Sequence, residues 1–383
     1  MKNRNISLMC AAHFVWGFSF FIPIIALYLN QYLDVQHVAL LFSVEAIMLV
    51  LFEVPTGAIA DLFGRKRTLI LAEFSAMIAI FFLFFGRGWW FFVLFAVFNS
   101  LGRSLISGSD TAIIYDTLKE QGKEKQFKKI IGIYRALWPL GAMLGAIIAG
   151  YLANISLKLA VGATIVPYVI ALIIKLFLVE PKYEKEKHKN VFLHMLRSSK
   201  MIIHSKQIFL IMLGGLLIYA FSETIHRMGS LFFEFKALPL IYFGYAAAAL
   251  FGLSSLGAFS SHAISEKFGN KFTIVVSVIA TPILIILSTF FSKFIAVILF
   301  ILPSVFWGIR NPVMILMLNS EVESKKRATV LSLQNFMSHL GVAIFAPILG
   351  LIALGYDINI GFRVAGICMF IAPAIFMLLK DKK

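Results

Sequence analysis

Six charged side chains, Glu45, Arg103, Asp110, Glu223, Arg227 and Arg310, lie within long, predominantly apolar stretches. A charge within a stretch long enough to cross a bilayer is costly, so by default it faces a cavity or a partner. Glu223 and Arg227 are four residues apart with the acid first, the spacing and order of an intrahelical ion pair. A carboxyl that alternates between a dry surrounding and an arginine partner can switch its proton on and off. The chemistry these residues suit is therefore reversible protonation and exchange of ion partners, with Glu223 as first proton site and Glu45, midway along its own run, as a second. Glu53 and Glu73 lie nearer run ends and read as braces for the polar loop that follows residue 57. Lys175 reads as a snorkelling side chain, and Arg135 as a partner for Asp110. No nucleophile, base and orienting group stand in an arrangement that would support catalysis. His residues lack ligand spacing, and Cys10 and Cys368, in apolar runs near opposite ends, support neither a disulfide framework nor a metal site. No phosphate-binding Gly-x-x-x-x-Gly-Lys-Ser/Thr is present. No cofactor is called for.

The elements that hold these groups follow from composition. Of 383 residues 60% are hydrophobic and 14% charged, and the mean hydropathy is +0.90. Such a chain needs the bilayer as its solvent. One crossing takes roughly 20 apolar residues, and twelve runs qualify: 6–29, 37–60, 68–86, 89–115, 130–152, 157–179, 208–234, 240–264, 272–291, 294–319, 328–353 and 359–379. The first run follows Lys2 and Arg4 without a small-residue cleavage site and reads as a span, not as a removed signal. The net charge of +16 is topological: with the N-terminus inside, 25 of the 35 Lys and Arg fall on cytoplasmic segments, four on the other side (counting Lys158, at the outer edge of its run) and six deeper within runs. This asymmetry places both termini in the cytoplasm and makes anionic head groups, not nucleic acid, the partner of the basic charge.

Two loops carry a repeated pattern. Gly57-Ala-Ile-Ala-Asp61-Leu-Phe-Gly64-Arg65-Lys66-Arg67 joins the second and third runs, and 205 residues later His262-Ala-Ile-Ser-Glu266-Lys-Phe-Gly269-Asn-Lys271 sets Glu266 opposite Asp61 and Gly269 opposite Gly64. The same offset aligns Gly145 with Gly350 and Gly150-Tyr151 with Gly355-Tyr356. The polar stretch 180–207 divides the chain, giving a first half 1–180, a linker 181–206 and a second half 207–383. Within the linker, Phe192, Leu193, Met195 and Leu196 among basic residues fit either an amphipathic surface helix or a solvated strap.

The 57–67 loop resembles the signature loop of the major facilitator superfamily, with Ile59 where Leu is usual. The resemblance implies an all-α membrane protein: twelve transmembrane helices in two pseudo-symmetric six-helix bundles, alternating access around a midplane cavity. It implies that Gly57 lets a helix approach, that Gly64 makes the tight turn, and that Asp61 meets the positive end of a helix from the other half. Arg65 would pair with Asp110 or Asp116, and Arg65, Lys66 and Arg67 would otherwise serve only to orient the chain. The second loop has His262 in place of the first glycine, which weakens its latch. In this family the first, fourth, seventh and tenth spans line the cavity. Here they carry His13 and Trp16, then Arg103, Ser107 and Asp110, then Glu223, His226 and Arg227, then Arg310 and Asn311. Arg103 is similar to the family's fourth-span arginine, although Gly108 follows it by five residues where four is usual. The run Pro139-Leu-Gly141-Ala-Met-Leu-Gly145-Ala-Ile-Ile-Ala-Gly150 is similar to the glycine-rich fifth-span motif of antiporters, and helix packing alone also accounts for it.

The resemblance thus implies a proton-coupled secondary transporter, most like bacterial drug–proton antiporters, that exports an amphiphilic small molecule. It would be a multi-pass monomer of the cell (inner) membrane. The alternative is a proton-coupled importer of a small anionic or zwitterionic metabolite, which the basic balance of the cavity residues favours. A polytopic membrane enzyme or a receptor is the reading from another class. The topology is tested by single cysteines: at Lys123 and Lys187 they are expected to label only from the cytoplasm, and at Lys158 and Asp357 only from outside. Opposite labelling of either pair contradicts the twelve-span arrangement.

Overall fold

The computed structural model describes residues 4–181, 205–322 and 327–379, without the side chains at 54, 57–59, 61–62, 108 and 327–329. The linker, with its amphipathic-helix expectation, and the side chain of Asp61 lie outside the described residues.

The first half contains α1 (Arg4–Trp16), α2 (Ile25–Asn30), α3 (Val35–Phe63), α4 (Arg65–Phe85), α5 (Trp89–Glu120), α6 (Phe127–Ile155), α7 (Leu157–Ala163) and α8 (Ile165–Leu176). The second contains α9 (Lys206–Arg227), α10 (Gly229–Phe235), α11 (Ile241–Phe268), α12 (Asn270–Phe290), α13 (Lys293–Ile301), α14 (Pro303–Ser320), α15 (Arg327–Gly355), α16 (Ile358–Met369) and α17 (Ile371–Met377). Consecutive short helices continue one another, so the described residues form twelve passages along the bundle. Eleven of these passages are long and apolar enough to cross a membrane by length and composition.

The first passage is the exception, because α1 stops at Gly17. There the chain is pressed onto α6: a β-carbon on Gly17 would sit 2.6 Å from the Trp138 carbonyl, and one on Gly141 would sit 2.1 Å from that of Phe14. A short 3-10 turn through Pro23 then leads into α2. Backbones approach this closely only where both partners are small.

The two ends of the molecule are built differently. At the end that carries the repeated loops, Gly64 and Gly269 reverse the chain between long helices with φ of +94° and +87°, a region open to glycine at no steric cost. The sequence offset of 205 is thus a true structural repeat at the loops. At the opposite end, Asp34 and Asp357 cap α3 and α16 by accepting from the amides of His37 and Ile360, each at 2.8 Å. Each such cap satisfies a helix N–H that has no partner within the helix.

The halves meet along two seams, α3 against α15 and α6 against α11, with α2 against α10 at the capped end. At that end they are closed. Leu27 N donates to Ser230 Oγ at 3.0 Å, the Tyr151 and Tyr245 hydroxyls are 2.7 Å apart, and a β-carbon on Gly150 would lie 2.6 Å from the Ile241 carbonyl. Toward the loop end the seam loosens: beyond the Trp138–Phe251 ring contact at 5.7 Å, Phe259 of α11 is 91% exposed. The repeated glycines have diverged in use. Gly145 packs on Phe18 in its own half, whereas Gly350 packs across the seam on Gln36 and Ala39, and nothing lies near Gly355.

The closed seam predicts that Gly244→Val, whose new side chain would lie 2.3 Å from the Ala146 carbonyl, costs about 1–3 kcal/mol through overpacking. A lower Tm and new accessibility of cysteines placed near residue 151 are expected. Wild-type values for both would contradict this packing.

Candidate functional site

Four of the charged groups singled out in the sequence, Glu45, Arg103, Glu223 and Arg227, converge within the bundle. Glu45 of α3 is 7% exposed and is shared by two guanidinium groups. Arg103 Nη1 of α5, in the same half, donates to Oε1 at 2.9 Å; Arg227 Nη1 of α9, in the other half, donates to Oε2 at 2.8 Å. Asn99 Nδ2, one turn before Arg103, also donates to Oε1 at 2.9 Å. Arg227 Nε donates to Glu223 Oε1 at 2.8 Å, so the expected i,i+4 pair forms, and the guanidinium stands 5.4 Å from the centre of the Phe42 ring. The result is one connected chain, Arg103–Glu45–Arg227–Glu223, whose central link crosses from one half to the other. In a medium of low dielectric such charges are tolerable only because they are mutually paired. Tyr219, one turn before Glu223, meets His339 of α15 edge-on at 5.9 Å. His226 adjoins the pair on α9 and is half-buried.

Arg103 stays 36% exposed on its side chain. Seven residues further along α5, about 10 Å at 1.5 Å per residue, Asp110 marks a second site. A cavity of about 300 Å³ is lined by His13 and Trp16 of α1, Ser107, Asp110 and Thr111 of α5, and Tyr134, Arg135 and Trp138 of α6. All eight belong to the first half. Asp110 is occupied by neighbours: Thr111 donates its amide to Oδ1 at 2.5 Å and its hydroxyl at 3.1 Å, and the Tyr134 hydroxyl donates to Oδ2 at 3.2 Å. His13 stacks on Tyr134 with ring centres 4.0 Å apart. Tyr134 therefore supplies the hydrogen bond to Asp110, and Arg135 stands on the same cavity wall.

The loop end also shows how the signature segment is held. Arg65 Nε lies 3.8 Å from Asp116 Oδ2, which selects Asp116 over Asp110 as its acid. Glu180, just past α8, accepts from the amides of Arg65 at 2.6 Å and Lys66 at 2.8 Å. A carboxylate at a helix N-terminus satisfies free N–H groups and complements the dipole. Its carboxyl lies 3.0 Å from where a β-carbon on Gly64 would sit, so this glycine serves both the turn and the cap. In the second loop Glu266 pairs, among the described residues, with His262 on its own helix at 3.4 Å, and both are exposed.

Three expectations are overturned. Arg310 does not join the central chain: it is 3% exposed and donates to Thr281 of α12 at 3.0 Å, within the second half, with Asn311 half-buried beside it. Lys175 does not snorkel. It is buried and donates to Glu73 Oε1, and Glu73, also buried, accordingly braces α4 against α8, not the loop. The partners that sequence reading missed, Asn99, Tyr134, Trp138, Glu180 and His339, carry no spacing signal of their own and become visible only as neighbours in space.

A family model described as Major Facilitator Superfamily matches residues 7–344. The uncharacterized MFS-type transporter YxaM of Bacillus subtilis (strain 168) is 24% identical over 381 residues, spanning 94% of this chain and 89% of that protein. The cis,cis-muconate transport protein of Acinetobacter baylyi is 24% identical over 346 residues, spanning 85% and 81%. A crystal structure of a mutant nucleoside transporter NupG superposes with a TM-score of 0.81 at 16% identity, covering 98% of both chains.

Breaking a buried pair on one side leaves an uncompensated charge, at a cost of about 3–5 kcal/mol. Glu45→Gln is therefore expected to lower Tm by more than Glu45→Gln combined with Arg227→Gln, which restores the charge balance of the Arg103–Glu45–Arg227–Glu223 chain. Strict additivity of the two single changes in a double-mutant cycle would contradict the bridge.

Proposed function

The chain belongs to the Major Facilitator Superfamily, and on that footing we propose that it is a proton-coupled carrier of a small anion, with Glu45 as the switch between its states. Membership makes it a multi-pass membrane transporter of a small molecule and not an enzyme. The observation that carries the rest is the sharing of one carboxylate between guanidinium groups of opposite halves.

Protonation of Glu45 cancels the charge that holds Arg227, and with it the ionic link between the halves. The count of free donors sets the preferred solute. Both oxygens of Glu45 are taken, Glu223 is bound to Arg227, and both Asp110 oxygens are engaged. Arg103, partly exposed, and Arg135, on the cavity wall, are the cations left facing open space. An entering carboxylate can take the place of Glu45 on its arginines once Glu45 carries a proton. Anion and proton then bind in the same state, which is the logic of cotransport. The relative whose name specifies an unsaturated dicarboxylate, cis,cis-muconate, supports this charge class.

Gating follows the loop. Asp116 and Glu180 hold Arg65 and the start of α4 in place. Asp61 is read as the acid that meets a helix N-terminus of the other half when the loop end shuts, with Gly57 giving room for that approach and Lys66 and Arg67 facing anionic head groups. The basic end is taken as cytoplasmic, which puts both termini in the cytoplasm, the protein in the inner membrane and the open side of the present state inward. A second reading, export of an amphiphile in exchange for protons, is favoured by the aromatic lining of His13, Trp16, Tyr134 and Trp138.

Proteoliposomes separate the two. With an inward proton gradient the wild-type protein is expected to accumulate a carboxylate from a panel that includes cis,cis-muconate, and to leave ethidium unmoved. Glu45→Gln is expected to lose accumulation by tenfold or more, yet to keep exchange of the same anion. Ethidium extrusion without anion uptake would establish the amphiphile reading, and full accumulation by Glu45→Gln would remove Glu45 from the coupling.

A further inference from the structure

Two cations at the capped end of the second half take no part in the bridge or the cavity wall. Lys236 follows α10 and is buried, and its Nζ donates to the Thr289 carbonyl in the last turn of α12 at 2.8 Å. Arg363 of α16, half-buried, donates through Nε to the Thr289 hydroxyl, also at 2.8 Å. Its guanidinium lies 4.2 Å from the centre of the Phe290 ring. One residue thus gathers both charges, from elements far apart in sequence.

Local structure fixes the two positions. Helix α10 closes with the amides of Ala237 and Leu238 donating back to the Glu234 and Phe233 carbonyls, at 2.8 and 3.0 Å. Ala237 takes a φ of +53° to do so, in a place where glycine is usual. Lys236 is thereby pinned at a helix C-terminus, where a cation is favoured. Asp357 caps α16, and Arg363 stands six residues, about 9 Å, further along that helix.

The charge gathered here is not balanced. Among the described residues no acid forms an ion pair with either cation. Asp357 attracts Lys236 from further off, against the repulsion of Arg363, and its carboxylate already serves the cap. Glu234 is exposed and stands two residues before Lys236, a spacing that does not bring side chains together. Satisfying the oxygens at the end of α12 accounts for one donor of each cation. It leaves the terminal nitrogens of Arg363 without a partner among the described residues. The surface around them is aromatic and open: Phe235, Phe290 and Phe291 are exposed, Phe290 by 65%. Aromatic side chains collect where hydrocarbon gives way to head groups, and basic groups between helices at that depth suit an anionic head group. A guanidinium offers a phosphate two parallel N–H donors, and an ammonium beside it adds a further charge-assisted contact.

We propose that Lys236 and Arg363 form a binding site for the phosphate of an anionic phospholipid, in the leaflet at the capped end. That leaflet is the outer one on the orientation taken above; the site itself does not depend on it. The phosphate neutralises the two cations, and the exposed phenylalanines meet the upper part of the acyl chains. Helix α10 also meets α2 across the seam, so a lipid held here steadies the second half where the two halves are closed.

Thermal unfolding of the purified protein in phosphatidylcholine nanodiscs, titrated with phosphatidylglycerol, tests the site, because a ligand stabilises the state it binds. Wild-type Tm is expected to rise and saturate. Arg363→Gln, and Arg363→Gln with Lys236→Gln, are expected to need tenfold or more of the anionic lipid for the same rise. The single variant keeps the Lys236 bond to α12 and carries the comparison if the double one fails to fold. Lys125→Gln with Lys128→Gln, which removes the same charge from the loop end, is expected to titrate as wild type. Equal titrations for wild type and both Arg363 variants overturn the site, and so does an equal weakening by the loop-end control, which would mark general attraction to charge. Inorganic phosphate is expected to leave Tm unmoved; a rise that matches the lipid's overturns the lipid as occupant in favour of a soluble anion. Native mass spectrometry reads the wild-type protein without substitution: a phosphatidylglycerol retained in preference to phosphatidylcholine is expected, and absence of preference overturns the proposal.

Discussion

Everything in this molecule turns on the cost of holding charge away from water. Glu45 can be ionised in the middle of a bilayer because two arginines and an asparagine surround it, and Arg227 because two carboxylates do. That requirement ties the halves together, since one of the partners belongs to the other bundle. The same requirement makes the tie reversible: a single proton on Glu45 weakens three charge-assisted contacts at once. A rocking carrier needs a contact that is strong in one protonation state and weak in the next, and a shared carboxylate supplies it.

The remainder of the structure sets where that contact can act. Small residues bring α6 and α11 into backbone contact at the capped end, with Gly150 against Gly244 and the two tyrosine hydroxyls hydrogen-bonded beyond them. The loop end is held differently. There the strong contacts lie within the first half, from Arg65 to Asp116 and from Glu180 to the start of α4. A half braced internally at this end is suited to move as a unit. The glycine turns at 64 and 269 preserve the loops' repeat, while Gly145 and Gly350 show how far duplicated positions have parted in use.

How much of this was legible in the sequence follows the range of each interaction. Glu223 and Arg227 were readable because a helix fixes residues four apart as neighbours, and the turns at Gly64 and Gly269 because φ is a local property. Arg65 with an acid at the end of the fourth span came from the family pattern, which left Asp110 and Asp116 open. The bridge from Glu45 to Arg227 spans 182 residues, and no local signal announces it. Arg310 and Lys175 were misplaced for a shared reason. Sequence gives the depth of a side chain in its span but not the face it occupies when nearly every neighbour is apolar. The break after Trp16 was hidden likewise, because it depends on Gly17 meeting Gly141 of another helix.

The central claim, that protonation of Glu45 sets the balance between states, is tested most directly by paired spin-label distances without any solute. Labels at Lys119 and Lys267 report the loop end, and labels at Ile155 and Tyr356 the capped end. On lowering the pH far enough to protonate Glu45, the account predicts that the loop-end distance shortens while the capped-end distance grows. In Glu45→Gln both distances should already hold their low-pH values at either pH. Distances that ignore pH in the wild type, or that respond to it unchanged in Glu45→Gln, would contradict the account.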